Sequence, residues 1–127
     1  MAKVDINALP ARVWEKKTFE YAIPGTEDVV EIRVRRLGSA DTLGIEGKSK
    51  EIGDELEGLL VDGQPVTFKG DALDVIATAI IAQQGAPDER YSPDELAILM
   101  AKYDGFVNVV SETAFWCIEE IEQGPPK

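Results

Sequence analysis

At 127 residues, with 44% hydrophobic and 29% charged side chains, the chain has the make-up of one folded domain and not of a fibrous repeat or a disordered tail. A net charge of −11 repels phosphate backbones and anionic lipid. Zero histidines and a single cysteine, Cys117, exclude an intramolecular disulfide, a histidine-dependent triad and imidazole metal sites, and suit a reducing cytoplasm.

The charge is uneven along the chain. Residues 1–37 carry seven Lys or Arg against six Asp or Glu, and residues 38–127 carry six against eighteen, a net of +1 against −12. Met1–Pro10 lacks the run of about seven or more apolar residues that a secretory signal needs, so export is not expected. The most apolar stretch, Leu73–Ala82, contains Asp74 and Thr78 and falls far short of the roughly twenty residues of a bilayer span.

Residues 13–37 read as a β-hairpin. Phe19, Tyr21 and Ile23 alternate with polar or small residues, and Val30, Ile32 and Val34 do the same beyond a break at Pro24, Gly25, Thr26, Glu27 and Asp28. Setting Ile23 opposite Val30 puts Tyr21 by Ile32, Phe19 by Val34 and, on the other face, Glu20 by Arg33. Two strands alone are marginal in water, so their apolar face must lie on helices or on strands from another molecule.

Residues 39–60 read as a soft or interrupted helix. Ser39 stands where an N-cap is wanted and Asp41 lies in the first turn, while Ile45, Ile52, Leu56 and Leu59 supply an apolar stripe. Gly44, Gly47, Gly53 and Gly58 each weaken it by up to about 1 kcal/mol relative to alanine, unless they serve close packing. A connector follows over 61–70, with a turn at Asp62-Gly63, Pro65 close behind, and Val66 and Phe68 as anchors.

A helix over 71–84 is expected to start on Asp71 as N-cap and to close at Gly85 and Pro87. Leu73, Ile76, Ala77 and Ile80 mark one face, and Val75, Ala79 and Ile81 widen it, the breadth of a central core helix. Ser92-Pro93-Asp94-Glu95 is a capping box with proline at the first helical position. From it Leu96, Leu99, Tyr103, Phe106, Val110, Ala114, Cys117 and Ile121 recur at steps of three or four, so 92–122 is one long helix or two consecutive ones meeting near Gly105, before a 123–127 tail. The fold expected is therefore α+β: one domain over 1–127, with an N-terminal β-hairpin on a mainly helical body of three or four helices.

No catalytic, cofactor-binding or metal-ligating residues are assigned. Glu46, Glu51, Asp54, Glu55 and Glu57 crowd one helix, where paired acids can do acid–base work or hold a hard cation, but a solvated acidic face is the preferred reading, and no calcium loop is present. None of the glycines forms a phosphate-binding loop. Candidate partner-binding residues are the basic Arg33, Arg35 and Arg36, with Lys16 and Lys17 roughly opposite, and the acidic Glu51, Asp54 and Glu55. The alternative for the basic set is charge balance against the chain's own acids. Val109 and Trp116 share a second apolar side of the last helix, either buried within the monomer or contacting a partner. Cys117 lies on the apolar stripe with no basic neighbour in sequence, as a small hydrophobe and not a reactive thiol.

The charged strand Val29 to Arg36, running into Arg35-Arg36-Leu37 and then Ser39-Ala40-Asp41 at a helix start, resembles the tail assembly chaperones of long-tailed bacteriophages over about residues 15–60. The resemblance implies a non-enzymatic protein that holds the tape measure protein, brings tail tube subunits to it, and associates with itself or with a longer frameshifted form. The alternatives are an acidic inhibitor imitating nucleic acid, or another small protein-binding adaptor. A minor one is metal-assisted hydrolysis by the Glu51 to Glu57 cluster.

Overall fold

Alternation of period two decides which side of the hairpin is wet. β1 (Lys16–Ala22) and β2 (Val29–Arg35) pair antiparallel, with Val30, Ile32 and Val34 buried and Phe19 and Tyr21 half-buried on the same side. A computed structural model describes residues 5, 7, 14–84 and 90–122, with side chains of the last helix through Glu119. The expected start of the hairpin at 13, the closing Gly85 and Pro87, the Ile121 side chain and the 123–127 tail lie outside the described residues.

The register is displaced by two residues from expectation: Tyr21 faces Val30, Phe19 faces Ile32 and Lys17 faces Val34. The loop is the reason. Ile23 N–H donates to the Asp28 carbonyl at 3.0 Å, and Thr26 N–H donates back to the Ile23 carbonyl at 3.2 Å across Pro24 and Gly25, whose φ of 78° suits the third position of a type II turn. Thr26 Oγ1 also accepts from Asp28 N–H at 3.1 Å, so Ile23–Asp28 form a loop and Ile23 never reaches Val30. A shift of two leaves every side chain on its expected face. It does remove the expected Glu20–Arg33 pair: Glu20 stands opposite Glu31, and Arg33 bonds Glu31 on its own strand at 3.2 Å.

The stretch expected as a soft or interrupted helix is interrupted, into α1 (Ser39–Thr42) and α2 (Ile45–Glu55) parted at Leu43 and Gly44. Ser39 is not the N-cap. Gly38 holds that position, and its N–H donates to Asp41 Oδ2 at 2.8 Å, a charged acceptor outcompeting a hydroxyl at the positive helix end. Gly53 serves packing, since a Cβ there would stand 3.3 Å from Leu73. In the connector Asp62 and Gly63, with φ of 52° and 78°, join two strands the sequence reading missed, β3 (Leu60–Val61) and β4 (Gln64–Pro65).

α3 (Gly70–Ala82) starts from Lys69, not Asp71, which lies in the first turn where its charge favours the helix dipole. Ile76, Ala77, Ala79, Ile81 and Ala82 are buried, so this is the core helix. Buried Gln83 then bonds Tyr91 in both directions, at 2.9 and 3.2 Å, and so ties the end of α3 to the start of α4 (Pro93–Lys102). The Ser92–Glu95 capping box forms as expected, with bonds of 3.2 and 3.0 Å.

α5 (Asp104–Glu122) follows after a single extended residue, Tyr103 (φ −131°, ψ 110°), so 92–122 holds two helices broken before Gly105. Gly105 lets the hairpin close on α5: a Cβ would stand 3.0 Å from the Tyr21 ring, which packs edge-on against Phe106 at 5.5 Å. The fold is α+β: among the described residues, an N-terminal hairpin and a body of five helices. Its buried core joins Val30, Ile32, Val34 and Leu37 of the hairpin side to Ile52, Ile76, Leu96, Phe106, Val110 and Cys117 of the helices.

The caps can be told apart by mutation. Ser92→Ala is expected to lower unfolding free energy by about 1 kcal/mol, and Ser39→Ala to stay within about 0.5 kcal/mol, both measured by denaturant titration.

Candidate protein-binding surface

The end of β2 is fastened to α5 by main chain and side chain together. Leu37 N–H donates to the Cys117 carbonyl at 2.8 Å, and the Arg36 guanidinium donates to the Trp116 carbonyl. The same guanidinium lies 4.0 Å over the Trp116 ring and reaches Glu15 and Glu119 at 3.4 Å each, with only 12% of the side chain exposed. Arg35 is engaged as well. Its two terminal nitrogens meet the two Asp41 oxygens at 3.2 Å each, and its guanidinium lies 5.2 Å from the Trp14 ring.

Arg35, together with the Gly38 N–H, holds the Asp41 carboxyl below its ordinary value of 3.8, against the opposing effect of partial burial. Gly38 is needed in this corner, because a Cβ there would come within 2.5 Å of the Trp14 ring. Two of the three candidate partner-binding arginines thus serve the chain's own fold, and Arg33 is tied to Glu31.

Of the acidic candidates, Glu51, Asp54 and Glu55 project from the exposed side of α2, where Glu51 meets Lys48 at 3.6 Å. The neighbouring Glu46 and Glu57 are exposed too, and no group of three or more acidic or cysteine ligands is gathered for a metal among the described residues. Val109 is half-buried, and Trp116 is half-covered within the chain by Phe19, whose ring stands 6.0 Å away edge-on, and by Arg36.

The aromatic residue left in water is one that sequence reasoning passed over. Phe115 is 57% exposed, one step round α5 from Trp116. With Trp116, Phe19 and Lys17 it lines a shallow groove between β1 and α5, flanked by Ser111 and Glu112. Its place outside the buried stripe through Ala114 and Cys117 was the available signal. Leu43, at the break between α1 and α2, is also exposed, at 85%.

Cys117 is fully buried, and burial pushes its thiol up to about 12 despite the opposing field of Arg36 and Arg35. Basic neighbours are therefore present in space, contrary to the sequence reading, but desolvation outweighs them. No described helix is long and apolar enough to cross a membrane. No protein-family model, curated protein or solved structure matches this chain.

Two measurements test these environments. The Asp41 contribution to stability is whole above pH 3.8, its unfolded value, and is lost as pH falls through the lower folded value. Asp41→Asn should therefore cost about 1–3 kcal/mol near neutral pH, with the gap to the parent closing in denaturant titrations carried below pH 3.8. Native protein at about pH 8 should leave a thiol reagent unconsumed, with Cys117 reacting only after denaturant is added.

Proposed function

We propose that this chain works by holding other protein chains, as a tail assembly chaperone of the long-tailed bacteriophage type that its Val29 to Asp41 layout resembles. Its clients are the tape measure protein, the tail tube protein, or both, during assembly in the host cytoplasm, and a longer frameshifted form of itself is a further partner. The observation that carries the reading is Phe115, exposed beside Trp116 and Phe19 on a molecule of net charge −11. Fully burying a phenylalanine contributes about 1.5–3 kcal/mol, of which Phe115, 57% exposed, forgoes part, and exposed apolar surface of this kind supports a contact with another chain. Surplus charge elsewhere keeps a complex with an apolar client in solution.

A second reading has its own support. The carboxylates Glu46, Glu51, Asp54, Glu55 and Glu57 all stand in solvent around α2, as an acidic imitation of nucleic acid requires. That inhibitor binds a basic enzyme and lets go in salt; a chaperone gripping by apolar surface does not.

The purified chain should form a soluble complex with tape measure or tail tube protein from the same genome, seen by gel filtration. The complex should persist in about 1 M NaCl, where the screening length is only about 3 Å, and weaken with Phe115→Ser. Absence of a complex with either client, or one that dissolves in salt and ignores Phe115→Ser, overturns the chaperone reading.

A further inference from the structure

The hairpin leaves one side of β1 unsatisfied. Arg36 N–H donates to the Glu15 carbonyl and Ile23 N–H to the Asp28 carbonyl, which places the hydrogen-bonded pairs at Glu15, Lys17, Phe19, Tyr21 and Ile23. The main-chain groups of Lys16, Thr18 and Glu20 therefore point away from β2, and among the described residues they meet no partner. An open row of this kind is a template for another strand.

The charges along that row are mismatched inside the hairpin. Lys16 stands opposite Arg35, and Glu20 opposite Glu31. Arg35 is satisfied by Asp41, and Glu31 by Arg33, which leaves Lys16 and Glu20 each facing a like charge with no ion partner among the described residues. Like charges directly opposite destabilise a sheet, so the chain carries an apparent defect at both ends of its free edge.

A second copy removes both defects at once. Only residues with outward main-chain groups can pair across the edge, so an antiparallel partner must match even positions with even positions. Thr18 on Thr18 of a second copy sets Lys16 against Glu20 twice, once on each side of the two-fold axis. One register step further pairs Lys16 with Ala22 and Thr18 with Glu20, and the next sets Glu20 against itself. On the other face, the matching register lays each Lys17 beside the second copy's Phe19, over the groove that Phe115 lines.

We propose that the free edge of β1 is the seam of a two-fold dimer, in which Thr18 meets Thr18 of a second copy and the hairpins join into one four-stranded antiparallel sheet. The interface is isologous, as closed dimers are. It does not depend on the client proposed above, although a client filling the same groove would compete with the second copy.

The test is sedimentation equilibrium on the full chain alone, with a species of twice 13.9 kDa expected. Lys16→Glu and Glu20→Lys should each weaken the dimer by about tenfold or more, since each turns two attractive cross-strand pairs into repulsive ones. Each single change also relieves a like-charge pair inside the hairpin, so the melting temperature of the monomer should hold or rise. The double variant Lys16→Glu with Glu20→Lys should restore the dimer. Thr18→Pro, which removes an outward N–H and spares the β1–β2 ladder, should give a folded monomer. A parent chain that is monomeric at every concentration, or a dimer indifferent to the single changes or not restored by the double one, overturns the proposal. The client complex, measured separately, is unaffected by that outcome.

Discussion

Where β2 gives way to Arg36 and Leu37, the Leu37 N–H donates to the Cys117 carbonyl and the Arg36 guanidinium to the Trp116 carbonyl, joining the strand end to α5 some eighty residues on in sequence. A two-stranded hairpin is marginal in water by itself, and this junction presses its apolar side onto the helices. Leu37 enters the core at the same point, beside Val34 and Cys117 in one buried cluster. Each main-chain bond contributes only about 0.5–1.5 kcal/mol net. What the junction adds is registration: it sets which turn of α5 lies under β1, and with it the pairing of Phe19 with Trp116 and of Tyr21 with Phe106.

The same junction sorts the charges. Arg35 and Arg36, at the end of β2, are both drawn inward, one to Asp41 and one to Glu15 and Glu119. Among the described residues the acids on α2 show one such counterpart, Lys48 beside Glu51, and they remain in solvent. Most of the net charge of −11 is thus displayed on the surface, while the basic strand end works as internal fastening. On the function proposed above, surplus surface charge of this kind keeps a complex with an apolar client in solution.

Much of the fold was legible from pattern. Alternation assigned the correct faces to β1 and β2, and Ser92-Pro93-Asp94-Glu95 marked the start of α4 because a capping box is satisfied within four residues. The errors share one cause. The hairpin register depended on how Thr26 bonds Asp28 and Ile23, and the cap of α1 on Asp41 reaching back to Gly38. In each case several residue types satisfy the local rule, and pattern alone does not choose among them.

The candidate surface was less legible than the fold, for the same reason. Trp116 drew attention as a second apolar face, yet Phe19 and Arg36 half-cover it, and its neighbour Phe115 is left in water instead. By itself the sequence determined the α+β class, the faces of the hairpin, the core character of α3 and the α4 cap, because each follows from periodicity or from bonds between close neighbours. Tertiary structure alone decided which arginines are consumed and which aromatic stays exposed. Those depend on groups brought together across the whole chain, whose competition for partners has no local signature.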